Sequence, residues 1–205
     1  MGEMFYALGL LRKGHLVETG RSDLVAGYVG QTALKCREVL QSSLDGVLFI
    51  DEAYQLVQDD RDSFGKEALE TLVAFMENHR DRLCIIAAGY PEPMRRFVNQ
   101  NPGLPSRFSA EIVFENYSAS ELLAIFRLMA DKEKMSLQDG LEDSLLRMFE
   151  QMALDAGSTF GNGREVRNLL GEMMNNQANR LTQSGRIYSQ TDPELFTLKV
   201  DDLQV

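Results

Sequence analysis

Apolar residues recur along this chain in two patterns, unbroken runs and helical stripes. Gly46-Val47-Leu48-Phe49-Ile50 carries no charge, four of its five residues are large and apolar, and it runs straight into Asp51-Glu52. A run with no alternation reads as a strand buried on both faces, as at the centre of a parallel sheet. Leu83-Cys84-Ile85-Ile86-Ala87-Ala88 reads the same way and is ended by Gly89-Tyr90-Pro91. Residues 15–19 read as a short strand and Glu111-Ile112-Val113-Phe114 as a last one. Between these runs the spacing turns helical. Met4, Phe5, Leu8 and Leu11 predict a helix over 2–11, closed by Gly14. Leu69, Leu72, Val73 and Met76 predict an amphipathic helix over 65–77, and further helices are expected at 32–43 and 91–100. No capping residue precedes the first helix, which reads as if it began in its middle.

Strands alternating with helical segments imply an α/β fold with a doubly wound parallel sheet. After Tyr117 the pattern changes. Ser118 with Glu121 three residues on is a capping box for a helix to about 134, and helices follow at 141–156 and 163–181. The expected division is a large α/β unit over 1–116 and a small all-helical unit over 117–205. Residues 21–32 read as a loop with an exposed aromatic, Tyr28, between Gly27 and Gly30. The polar, acidic 54–64 stretch, with Asp59, Asp60 and Asp62, reads as a mobile, solvated surface loop. Asn101-Pro102-Gly103-Leu104-Pro105 is a turn delivering Ser106-Arg107-Phe108, and 196–200 either pairs as a short strand or packs down.

Composition narrows the class. The 205 residues are 44% hydrophobic and 25% charged, which suits a soluble globular protein of one large domain or a large and a small one. A net charge of -10 argues against a nucleic-acid surface. Cys36 and Cys84 form no CxxC pair and no metal spacing with His15 or His79, so they read as thiols of a reducing, cytoplasmic compartment. No apolar run approaches the roughly 20 residues that insertion across a membrane requires. Residues 1–6 lack a charged segment followed by an apolar one and do not read as a signal peptide.

Ligands of open parallel sheets bind at the carboxyl ends of the strands. Asp51 and Glu52 sit at such an end. One reading is half of a nucleotide-hydrolysis site, in which the first carboxylate holds Mg²⁺ through water and the second polarises the attacking water. The other is an ordinary core strand followed by an acidic loop.

Taken in order, Leu48-Phe49-Ile50-Asp51-Glu52-Ala53-Tyr54, Met76-Glu77-Asn78-His79-Arg80-Asp81, Ala88-Gly89-Tyr90, the 101–108 segment and Gly161-Asn162-Gly163-Arg164 resemble the AAA+ ATPases. Within them the chain is similar to the branch of red-type rubisco activases, stage V sporulation protein K and the ATPases of type VII secretion. The resemblance runs from Gly9 to about Leu181. It implies an AAA+ parallel-sheet domain followed by a helical lid, and a ring of copies, commonly a hexamer, that hydrolyses ATP with Mg²⁺ to remodel or thread a client protein. It places Asp51 and Glu52 as the Walker B pair, for Mg²⁺ coordination and for orienting water. It places Arg107 as an arginine finger reaching a neighbour's nucleotide, Arg164 as the sensor-2 residue of the lid, and Tyr28 as the aromatic that grips the client in the pore. Ala87-Ala88-Gly89 occupies the sensor-1 position without a polar residue, so no sensor-1 side chain is assigned.

The resemblance fails at one place. No Gly-x-x-x-x-Gly-Lys-Ser/Thr occurs in the chain. Such a loop cradles phosphates with backbone N–H groups and neutralises them with its Lys. In the family it lies just ahead of the first helix here, after a strand that sits between those at 111–114 and 83–88. The sequence is therefore expected to be an N-terminal truncation that binds ATP weakly or not at all. The alternative is a non-hydrolysing regulatory subunit that donates Arg107 to an active partner; an intact Asp51-Glu52 pair speaks against it. Rubisco, a secretion substrate and a sporulation factor are all open as clients.

Overall fold

The computed structural model describes residues 1–28, 30–59, 61–155 and 160–203. The chain separates into two compact units, Met1–Val113 and Phe114–Val205. The first holds helices α1 (Gly2–Ala7), α2 (Arg21–Leu24), α3 (Thr32–Ser42), α4 (Ser63–Asn78) and α5 (Pro91–Asn99), with strands β1 (Leu16–Thr19), β2 (Val47–Ile50) and β3 (Cys84–Ala87). The strands form one parallel sheet in the order β1-β2-β3, with Leu16 opposite Val47 and Val47 opposite Cys84.

The unbroken apolar run is the central strand, as its lack of alternation predicts. Val47, Leu48 and Ile50 are fully buried. Their core partners include Cys36 and Leu40 of α3 and Leu69 and Leu72 of α4, the last two from the stripe read from helical spacing. Burial pushes the Cys36 thiol up to about 11, so it behaves as a small apolar core group. Below the sheet Arg82 forks onto Asp45 at 2.9 and 2.7 Å and holds that carboxylate below its usual range.

The second unit contains α6 (Ala119–Lys132), β4 (Ser136–Leu137), α7 (Leu141–Asp155), α8 (Gly163–Gln183) and β5 (Thr197–Leu198). Ser118 and Glu121 form the expected capping box, and Leu122, Phe126, Phe149, Val166 and Met173 fill the core. The tail takes the strand alternative, with β5 pairing parallel to β4. It is fastened to α8 by polar groups. Gln177 Nε2 faces the carbonyls of Glu194, Leu195 and Thr197 at 3.1–3.2 Å, and Arg180 forks onto the buried Asp202 at 2.7 and 2.9 Å.

Four expectations need correction. The first helix ends at Ala7 rather than Leu11, because Gly9 takes a φ of +72°. Gly9 N–H donates to Tyr6 O and Leu10 N–H to Phe5 O, a double bond pattern that terminates a helix at a left-handed glycine. Residues 111–114 are not a strand. No described residue pairs with them, and Ile112, Val113 and Phe114 stand 69%, 63% and 91% exposed; an isolated extended segment has no ladder to hold it.

The 54–64 segment is anchored rather than free. Its apolar Leu56 and Val57 are buried, residues 53–56 form a 3₁₀ turn, and Asp62 caps α4 by accepting from Gly65 N–H at 2.9 Å. Asp60 lies outside the described residues. A one-turn helix, α2, also forms where a loop was expected, with Asp23 accepting from Gly20 N–H at 2.9 Å.

Gly65 is the tightest point of this arrangement. A side chain there would run into the Leu56 carbonyl and the Asp62 carboxylate. Gly65→Ala is expected to destabilise the protein by about 1–3 kcal/mol, through lost capping and backbone displacement. Urea denaturation checks this; an unchanged midpoint would contradict it.

Candidate active site

Asp51 and Glu52 are fixed by the sheet that delivers them. The ladders continue one step past β2: Asp51 N–H donates to Thr19 O at 2.9 Å, and Ala88 N–H to Ile50 O at 2.9 Å. Ala53 N–H then donates to Ala88 O at 3.0 Å, so the acidic turn is tied to both neighbouring strands. Glu52 adopts φ 46° and ψ 47°. A non-glycine residue in this left-handed region costs about 1–3 kcal/mol and persists only where its surroundings enforce it. Both acids are exposed to solvent.

The Glu52 carboxylate is oriented by its own turn. Tyr54 OH donates to Oε1 at 3.3 Å, and Gln55 Nε2 donates to Oε2. Burial, and then the Glu52 charge, push the Tyr54 phenol up. Gly89 makes room for it: a Cβ at Gly89 would lie 2.7 Å from the Tyr54 ring. Tyr54 and Gln55 were not picked out from sequence as site residues, although Tyr54 closes the motif that contains the acid pair. The 87–89 segment contributes backbone groups, through Ala88.

Asp51, Glu52 and Gln55 share an open cleft of about 620 Å³ with the Gly20–Gly27 segment. Arg21 is the fastening between them. Its Nη1 donates to the carbonyls of Gln55 and Leu56 at 3.1 and 2.6 Å and to Asp62 Oδ2 at 2.6 Å, and Nη2 reaches Asp62 Oδ1 at 3.2 Å. Asp62 also accepts from Gln58 N–H at 3.0 Å. These contacts, Arg21's hydrogen bonds foremost, bring the Asp62 pKa down to about 2. One guanidinium thus joins the segment leading to Tyr28, the turn holding Glu52 and the start of α4. Arg21 carried no sequence signal, since nothing local marks which acid 41 residues away it meets.

Tyr28 stands 74% exposed in the loop between α2 and α3, ahead of Gly30 at φ +80°. Arg107 does not line the cleft. It folds back within its own unit, with Nη2 3.1 Å from Glu77 Oε2 and Nη1 donating to Gly103 O at 2.8 Å. Arg164 lies in the other unit, in the first turn of α8; its side chain is exposed and makes no hydrogen bond or ion pair among the described residues. Asp51 fits a Mg²⁺ ion held through water, because it is exposed at a strand end and only Oδ1 is engaged, by Glu52 N–H at 3.0 Å. Among the described residues no three His, Cys, Asp or Glu side chains cluster to hold a metal unaided. Phosphate oxygens would have to complete such an ion's shell.

Comparison with known proteins follows the same two-part division. Residues 5–116 match the family described as ATPase family associated with various cellular activities (AAA), and residues 118–205 match the AAA lid domain. The chain is 40% identical over 205 residues to "Protein CfxQ homolog" of Trieres chinensis, covering 99% of this chain and 69% of that protein. It is 40% identical over 206 residues to "Stage V sporulation protein K" of Bacillus subtilis (strain 168), covering 100% and 63%. It is 39% identical over 205 residues to the chloroplastic "Ribulose bisphosphate carboxylase/oxygenase activase" of Cyanidioschyzon merolae, covering 99% and 69%. The chain thus spans about two thirds of the length of these relatives. The solved FIGL-1 AAA domain shares its fold, with a TM-score of 0.62 at 13% identity over 91% of this chain and 59% of that one. Among the described residues no helix is long and apolar enough to cross a membrane.

The Arg21–Asp62 contact sets a pH dependence. A carboxylate whose pKa is lowered on folding stabilises the native state above its ordinary value of 3.8, and that contribution fades as pH falls toward about 2. Arg21→Met is expected to cost about 1.5–3 kcal/mol at neutral pH, the range for hydrogen bonds to a charged group. It should also flatten the loss of stability between pH 4 and pH 2. Denaturant midpoints across that window check this; parallel curves for the two proteins would contradict it.

Proposed function

The chain belongs to the AAA family of ATPases and carries an AAA lid domain, and from that premise we propose that the protein hydrolyses ATP in a ring of copies to remodel a client polypeptide. The observation that carries this reading is the cleft in which Asp51 and Glu52 meet the segment leading to Tyr28. In it, Asp51 binds a water-held Mg²⁺, which neutralises charge on the transferring phosphoryl group. Glu52, aimed by Tyr54 and Gln55, orients the attacking water and accepts its proton. Arg107 reaches the nucleotide of the next copy, where a guanidinium is typically worth about 10³-fold or more in rate. Arg164 reports nucleotide state to the lid.

Tyr28, an aromatic held in water at a glycine-flanked loop, grips the client. A head-to-tail ring, commonly a hexamer, supplies the geometry. One relative's name, that of a ribulose bisphosphate carboxylase/oxygenase activase, points to a protein client, and the client of this chain is open among rubisco, a sporulation factor and a secretion substrate. A net charge of -10 speaks against a nucleic-acid partner, and the cytoplasm suits two unpaired thiols.

A phosphate-binding glycine loop is not among these 205 residues. They alone should therefore turn over no ATP, and measurable turnover by them would contradict that. The same observation favours a second reading, a subunit that hydrolyses nothing and lends Arg107 to an active neighbour.

In the full-length protein, Glu52→Gln is expected to retain ATP binding while lowering turnover about 10²–10⁴-fold, the usual contribution of a positioned base. Steady-state hydrolysis alongside equilibrium nucleotide binding checks this, and persistent turnover would remove Glu52 from its role. Tyr28→Ala is expected to abolish the rise in turnover caused by a client polypeptide. Loss of ATP binding instead would contradict the pore assignment.

A further inference from the structure

We propose that Glu77 is a positioning residue for Arg107, holding its guanidinium against the 101–105 turn until a phosphate oxyanion on a neighbouring copy displaces it. The proposal rests on the reading of Arg107 as the group that reaches that neighbour. Glu77 lies in the last turn of α4, and its carboxylate is 3.1 Å from Arg107 Nη2. The turn beneath is shaped for the same guanidinium. Gly103 O accepts from Nη1 at 2.8 Å, Asn101 Oδ1 fixes Gly103 N–H at 2.8 Å, and Leu104 anchors the turn in the core. A Cβ at Gly103 would lie 2.7 Å from Nη1, so only glycine leaves room for the folded-back side chain.

The hold is built to be lost. A guanidinium has five N–H donors in a fork matched to carboxylate or phosphate. Here it reaches one Glu77 oxygen, one carbonyl and, at 3.5 Å, the Ser106 hydroxyl, and its Nε is buried with no partner. Glu77 is itself 57% exposed. Ion pairs at such exposure are weak and screened by salt. A phosphate presenting three oxygens satisfies the fork better, while a lone subunit keeps its guanidinium from wandering onto other acids of a chain with net charge -10. The acid at the end of α4 therefore sets how readily Arg107 is released.

The test uses the full-length protein and measures ATP turnover against subunit concentration at low and high salt, for wild type, Glu77→Gln, Glu77→Asp and Arg107→Ala. Glu77→Gln is expected to raise turnover at low salt by about two- to fivefold, the weight of an exposed ion pair. The gain should vanish at high salt, and Glu77→Asp should restore wild-type behaviour. The Arg107 Nε proton should exchange faster in Glu77→Gln, read by NMR. Unchanged turnover and exchange in Glu77→Gln would overturn the proposal, as would a loss of turnover matching that of Arg107→Ala, since Glu77 would then serve the assembled site itself. Full turnover by Arg107→Ala would instead sink the finger reading on which the proposal rests.

Discussion

The burial of Val47, Leu48 and Ile50 in a strand held between two parallel neighbours sets where everything else can be. A strand covered on both faces cannot shift by one residue without exchanging its two buried faces. Its register with β1 and β3 is therefore fixed, and the ladder bonds carry that precision past its end to Asp51, Ala53 and Ala88. Glu52 can hold a left-handed backbone only because the residues on either side of it are tied down. The proposed chemistry lies on an exposed turn, but the placing of that turn comes from apolar burial beneath it.

The same turn is fastened sideways. From its own segment Arg21 reaches backbone carbonyls of the 53–56 turn and the Asp62 carboxylate, and Gln55 connects both ways, with its carbonyl accepting from Arg21 and its side-chain amide donating to Glu52. A contiguous set of hydrogen bonds thus runs from the segment that leads to Tyr28 to the proposed base. In a machine that converts hydrolysis into movement of a loop, such a joint is where the two would be coupled, provided the joint has two arrangements.

Sequence made the buried central run, the α4 stripe and the Ser118–Glu121 capping box legible, because each is a local pattern; the 83–88 run forms its strand but is half-buried rather than covered on both faces. Asp51 and Glu52 were legible for the same reason, as a break in an apolar run. What escaped was set by distance in the chain. Arg21 meets Asp62 and Glu77 meets Arg107 across 41 and 30 positions, with no pattern to announce either. The 54–64 stretch reads as solvated because Asp59, Asp60 and Asp62 crowd it, yet Leu56 and Val57 anchor it and Asp62 is spoken for. Residues 111–114 have strand composition but no described partner strand, and composition does not supply one. Gly9, not Gly14, ends the first helix, since a left-handed glycine outweighs a continuing apolar stripe.

The location of the nucleotide is the most direct test. The full-length protein, labelled for NMR, would be titrated with ATP and Mn²⁺ in place of Mg²⁺, and paramagnetic broadening followed residue by residue. The account predicts that the amides of Asp51, Glu52 and Gln55 broaden first, and that Asp51→Asn weakens the effect. Broadening confined to residues away from the end of β2, with the 51–55 turn untouched, would contradict it.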